Sequence, residues 1–203
     1  MKRMKTALKI LAVLPCLLLL LSCDNILSNS QKSGSVLIVS KISGQTASGS
    51  EADFYESDVR VANATPPPAY FIYEDIAVAT LEAKLKEPES ILGPSYPNSV
   101  LVYGYRVSYT AVLPSGSSVP VSFQGSLNVV IDIDATADVT FILVRAAAKD
   151  APPLDTIGGM NALMVDATIT FYCKDLDGKA VKDTQGQDPS GTISINFMDW
   201  ADN

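Results

Sequence analysis

The chain contains no histidine among its 203 residues. That absence removes Ser-His-Asp and Cys-His catalysis, imidazole metal sites and the commonest general base. Any catalysis left would rest on carboxylates alone, as in glycosidases, where two acids converge on one bond. Cysteine is scarce, with three residues, Cys16, Cys23 and Cys173. So few thiols exclude the disulfide framework of a small secreted domain. Basic residues are in deficit, 15 Lys and Arg against 22 Asp and Glu, for a net charge of −7. A chain of that sign does not bind nucleic acid by counterion release, nor lie on anionic lipid by charge. The uncharged run from Ile10 to Leu21 would reach about 18 Å as a helix at ~1.5 Å per residue. A bilayer core is about 30 Å thick, so the run is short for a span.

What is present begins with that run. "MKRMK" carries three positive charges and no acid, and the leucines after it stop at Ser22-Cys23. A basic start followed by a short apolar stretch reads as a secretory signal peptide. The quartet Leu20-Leu21-Ser22-Cys23 resembles the lipobox of bacterial lipoproteins. Leu21 is bulkier than the usual residue there, and the likeness covers only the signal region. The resemblance implies cleavage between Ser22 and Cys23, a diacylglyceryl group on the Cys23 thiol and an acylated new amino terminus. The covalent lipid on Cys23 is then the only attached group expected, with no other cofactor. One acyl chain holds a protein only marginally, whereas several on one residue hold it essentially permanently. The resemblance also implies a bacterial cell envelope location, anchored in a membrane. Aspartate after the lipidated cysteine, as Asp24 is here, tends to retain enteric lipoproteins at the inner membrane. Most lipoproteins reach the outer membrane, and that is the expectation.

Three regions follow: 1–22 as signal peptide, 23–35 as lipidated cysteine and tether, and 36–203 as one folded domain, partly irregular over 36–69. Signal removal takes Lys2, Arg3, Lys5 and Lys9 and no acid, so the mature chain is more acidic still. "DNILSNSQKSGS", Asp24 to Ser35, is polar and Ser/Asn-rich, a flexible tether. Extended, it reaches about 40 Å at ~3.3–3.6 Å per residue. With Cys16 removed and Cys23 acylated, Cys173 stands alone in "ATITFYCKD", a buried inert thiol on an apolar face.

Beyond the tether, alternation dominates. "VLIVSKI" is a β-branched first strand, and "SGQTASGSEADFYESD" reads as a long loop. "ATPPPAY" breaks the chain, since proline removes donors and fixes φ. Tyr70 to Ser90 fits a helix through Val78, Leu81 and Leu85, or a strand with Ala77, Ala79, Leu81, Ala83 and Leu85 on one face; strand is favoured. Tyr103, Tyr105, Val107 and Tyr109 alternate with polar residues, the period of a half-buried strand. The same period recurs at Val119, Val121 and Phe123, at Leu127 to Ile133, at Ala137 to Leu143, at Leu163 to Cys173, and at Ile193 to Phe197. "AAAKDAPPLDTIGGMN" is a long connection, and Asp177-Gly178 a hairpin signal. About eight or nine short strands with polar turns indicate an all-β, antiparallel β-sandwich. "YRVSYTAVLPSG" and "ITFYCKDLDGKAV … GTISINF" resemble the strand-turn-strand units of immunoglobulin-like and fibronectin-III-like domains. The disulfide pair and strand-C tryptophan of immunoglobulin domains are missing, which favours the fibronectin-like form. The closing segment also resembles Gram-negative envelope lipoproteins, a likeness that implies no activity.

Candidate chemistry is thin. Asp132, Asp134 and Asp138 in "DIDATAD" could offer oxygens to calcium, which takes six to eight of them; a solvated strand edge is the simpler reading. Asp175, Asp177 and Gly178 partly match a calcium loop. Cys173 and Thr184, however, stand where its first and last acids belong. Tyr103, Tyr105 and Tyr109 could form a sugar platform, or pack as core and cross-strand pairs. "GGMN" lacks the Lys-Ser/Thr and helix of a phosphate loop. The expectation is a lipid-anchored, non-catalytic scaffold or protein-interaction module with another envelope protein as partner. The alternative is a carbohydrate- or calcium-dependent surface-binding module.

Overall fold

The computed structural model describes residues 33–62, 69–87, 98–158 and 161–199. The expected signal peptide, Cys23, most of the tether and Trp200 lie outside these residues. Within them the chain is all-β, with one short helix and one 3-10 turn. Strand β1 is Ser35–Gln45, β2 Glu51–Ala52, β3 Phe54–Asp58, β4 Val61–Ala62, β5 Tyr70–Phe71 and β6 Asp75–Leu85. Strand β7 is Val100–Leu113, β8 Phe123–Ile131, β9 Thr136–Val144, β10 Ala162–Asp175 and β11 Ser190–Met198, with helix α1 at Ala146–Lys149.

One sheet has the order β2-β1-β6-β9 and the other β3-β11-β10-β7-β8, with a separate β4-β5 ribbon. Every pairing is antiparallel except β3 with β11. The inward faces of both sheets feed one core. Strand β6 buries Ala77, Ala79, Leu81 and Ala83 on one face, the face its period-two pattern predicts. Those small side chains leave room for rings carried by β7 to β10. Tyr105 lies edge-on to Phe141 at 5.3 Å and to Phe123 at 6.2 Å, and Phe141 edge-on to Phe171 at 6.0 Å. Edge-to-face pairs suit the aromatic quadrupole and add to the stabilisation from burial.

Two tyrosines of β7 cross the core and bond the backbone of β9. The Tyr109 hydroxyl donates to the Leu143 carbonyl at 2.6 Å, and the Ile142 N–H donates to the Tyr105 hydroxyl oxygen at 3.1 Å. The pairing of β6 with β9 skips Leu143, with Asp75 opposite Val144 and Ile76 opposite Ile142, so the tyrosines bond backbone groups where the ladder is irregular. Gly125 makes this possible, because a Cβ there would lie 2.3 Å from the Tyr105 ring. Gly44 is equally constrained; its Cβ would meet the Phe54 carbonyl oxygen at 2.4 Å where β1 passes β3.

Three sequence expectations need correction. The stretch expected as a loop after Ile42 carries the end of β1, all of β2 and the parallel edge strand β3. Its inward positions include Ser57, which is fully buried, so hydrophobicity alone does not mark the alternation. Val119 and Val121 are not in a strand; Val121 is 81% exposed and the ladder starts at Phe123. Tyr103 does not share a face with Tyr105. An irregularity in the pairing of β7 with β8 between Val102 and Gly104 shifts the register, leaving Tyr103 outside and Tyr105 and Tyr109 in the core.

Candidate functional site

The register of the strands defines two poles. Ser35 pairs with Leu85, and Val100 with Ile131 and Asp175, so the start of β1, the first strand of the described residues, lies at the near pole. Asp75 pairs with Val144, and Ala162 with Met198, at the far pole. The 11 residues of β6 separate the poles by about 35 Å at ~3.3 Å per residue.

Of the aspartates considered for calcium, Asp132, Asp134, Asp175 and Asp177 sit at the near pole and Asp138 lies midway along the sheet, opposite Thr80, each in a separate structural role. Asp132 accepts a hydrogen bond from the Ser99 hydroxyl at 2.9 Å. Asp134 has φ 61° in the tight turn from β8 to β9, a conformation that aspartate tolerates better than most residues. Asp138 accepts from the Thr80 hydroxyl at 2.7 Å. Asp175 is buried and accepts the Lys179 N–H at 2.8 Å, while exposed Asp177 precedes Gly178 at φ 86° in the same turn. Among the described residues, no three His, Cys, Asp or Glu side chains are grouped as metal ligands. Cys173 is a free, buried thiol, and burial pushes its pKa up to about 12. It stays protonated at neutral pH, which makes it a poor nucleophile.

The three candidate tyrosines do not form a platform, since two of them are core. A different pair does face outwards. Tyr103 stacks on Tyr172 at 6.3 Å, with the Lys174 ammonium 5.7 Å from the Tyr103 ring centre.

The far pole holds the features that the one-dimensional pattern does not show. Of the 11 large apolar side chains left exposed among the described residues, Tyr70, Phe71, Tyr73, Ile76, Val112, Leu113 and Met164 lie at this end. Phe71 and Tyr73 stack at 6.2 Å beside the β4-β5 ribbon. An open cleft of about 600 Å³ lies here, lined in part by Tyr55, Glu56, Asp58, Tyr73, Glu74, Asp75 and Lys149. At its floor is a buried ion pair. Lys149 Nζ is 2.6 Å from Asp75 Oδ1 and also donates to the Asp58 carbonyl at 2.8 Å, while the Ser57 hydroxyl donates to Asp75 Oδ2 at 2.6 Å. Lys149 is 2% exposed and Asp75 5%. Burial raises the Asp75 carboxyl above the ordinary range; the Lys149 charge and the bonds from Lys149 and Ser57 pull it back down. Each charge needs the other here, because an isolated charge in such a site carries a large desolvation cost.

No family model matches the chain, and neither a curated protein nor a solved structure does so. Among the described residues no helix is long and apolar enough to cross a membrane.

Proposed function

We propose that this protein is a lipid-anchored module of the bacterial envelope that docks another envelope protein through the pole opposite its anchor, without catalysis of its own. The observation that carries the reading is the exposed aromatic group Tyr70, Phe71 and Tyr73, with Phe71 stacked on Tyr73, at the pole farthest from the tether. Large exposed apolar groups gathered in one region mark an interaction surface, and aromatic side chains are the usual anchors of such surfaces. Lipid at one end would hold the domain, and the tether would set its reach. The outer membrane is the proposed site of attachment.

The strand order supports an immunoglobulin-like or fibronectin-III-like sandwich. Lettered in chain order, β1, β6 and β9 stand as A, B and E in one sheet, and β11, β10, β7 and β8 as G, F, C and C′ in the other. Such sandwiches present loops at their two ends, where binding usually resides. The absence of histidine from the whole chain supports the non-catalytic reading.

Two results test the proposal. Cys23→Ala should abolish acyl labelling and leave the precursor unprocessed. Native protein captured from detergent-solubilised membranes should bring a stoichiometric companion, and Phe71→Ser/Tyr73→Ser should lose it while staying folded. A companion retained in full by that variant would place the docking surface elsewhere.

A second reading draws on the outward Tyr103–Tyr172 stack. Such a pair offers a face for a sugar ring, with Lys174 beside it. A glycan array showing binding by the wild type and none by Tyr103→Ala would favour carbohydrate over a protein partner.

A further inference from the structure

The ion pair at the floor of the far-pole cleft is arranged for more than charge neutralisation. Lys149 Nζ and Asp75 Oδ1 are 2.6 Å apart, and a carboxyl C–O bond is short, so the nitrogen is also a near neighbour of Cγ. The amine is held from a second side by the Asp58 carbonyl, and the far carboxyl oxygen by Ser57, itself fully buried. We propose that Lys149 and Asp75 condense to an intramolecular isopeptide bond, which ties the start of β6 to helix α1.

The step balances without any co-reactant. One proton passes from the Lys149 ammonium to Asp75 Oδ1, which converts the pair into a neutral amine and a neutral acid. Burial favours the neutral form of the Asp75 carboxyl, on which it acts as the largest influence, raising it. The Nζ lone pair then forms a bond to Cγ. In the tetrahedral stage Oδ2 carries the developing negative charge, and the Ser57 hydroxyl is aimed at that oxygen, the placement of an oxyanion donor. The Cγ–Oδ1 bond breaks, and the departing oxygen leaves as water with the carboxyl proton and one proton from Nζ. Nothing is oxidised or reduced. The cleft above Asp75 and Lys149 gives the water a way out.

Two physical effects drive the reaction. Holding the groups in contact replaces a bimolecular encounter by an effectively unimolecular one. The product is a neutral amide in place of two buried charges, so the desolvation cost of the pair is relieved. The inference does not depend on the docking proposal, since it concerns two side chains of the same chain.

The test is peptide mass spectrometry on the full, processed protein taken from membranes and denatured. Trypsin should fail to cut after Lys149. It should instead yield a branched species joining residues 61–84 to residues 146–174, lighter by one water than the two linear peptides together. Asp75→Asn should close with loss of ammonia in place of water, giving a branched peptide of the same mass as the wild type. Lys149→Arg should give linear peptides only. Cleavage after Lys149 in the wild type, with segment 61–84 recovered linear at its full mass, would overturn the proposal and leave a simple ion pair. The wild-type result is decisive alone, so a variant that does not fold leaves the test intact.

Discussion

Relative to the chain that holds Lys149 and Asp75 as an unlinked ion pair, Asp75→Ala is expected to destabilise the domain by about 3–5 kcal/mol, the usual cost of leaving one member of a buried pair without its partner. The variant strands Lys149, 2% exposed, in a site that water does not reach freely. It also leaves the fully buried Ser57 hydroxyl without the carboxylate it bonds at 2.6 Å. The loss should appear as a lower urea midpoint with little change in slope, the signature of altered stability at constant exposed surface. Asp75→Leu/Lys149→Met should recover the electrostatic part, because apolar side chains of similar volume often replace a buried pair at little cost. A single variant as stable as the wild type would mean that the site is more open than its burial indicates.

A second large effect is expected at alkaline pH. Burial pushes Tyr55 and Cys173 up to about 12, and it raises Tyr105 and Tyr109 as well. In the unfolded chain these groups ionise near pH ~10 for tyrosine and ~8.5 for cysteine. Between the two values the folded chain keeps protons that the unfolded chain releases. Stability is therefore fully present below pH ~8.5 and is lost as the pH rises, with Cys173 acting first and the phenols from about pH 10. Each group removes about 1.4 kcal/mol per pH unit across its window. Urea midpoints taken from about pH 8 to about pH 11 should fall increasingly steeply. Tyr109→Phe should flatten that fall by one group, while losing at neutral pH the hydrogen bond to Leu143. Flat midpoints over the range would mean that the phenols reach solvent in the folded state.

Why some of this is legible in the amino-acid sequence, and some is not, follows from the range of the forces. Strand β6 is readable because one sheet face must be apolar, and Ala77, Ala79, Leu81 and Ala83 mark it at period two. The same holds for β10 and β11. Register is a pairwise property, and the shift between Val102 and Gly104 that turns Tyr103 outwards leaves no mark in the alternation of β7. Strand β3 escapes notice because its buried position 57 is a serine, kept there by a hydrogen bond to Asp75. The ion pair is the clearest case. "AAAKDAPPLDTIGGMN" reads as a long connection, and its lysine meets an aspartate 74 residues earlier. No local signal could have brought the two together. The fold places Lys149 just beyond β9 and Asp75 at the start of β6, and the β6-β9 pairing closes the distance.

The far-pole cluster was equally hidden. Tyr70, Phe71, Tyr73, Leu113 and Met164 sit in segments that read as strand, loop or turn, and only the register of the two sheets gathers them at one end. The central claim, that this end docks a partner while the other is anchored, is tested most directly by site-specific photo-cross-linking in intact cells. A photoreactive phenylalanine analogue would be placed at position 71, at the far pole, or at position 130, on exposed β8 towards the near pole. The account predicts a discrete adduct from position 71 and none from position 130. Adducts from neither position, or equally from both, would contradict it.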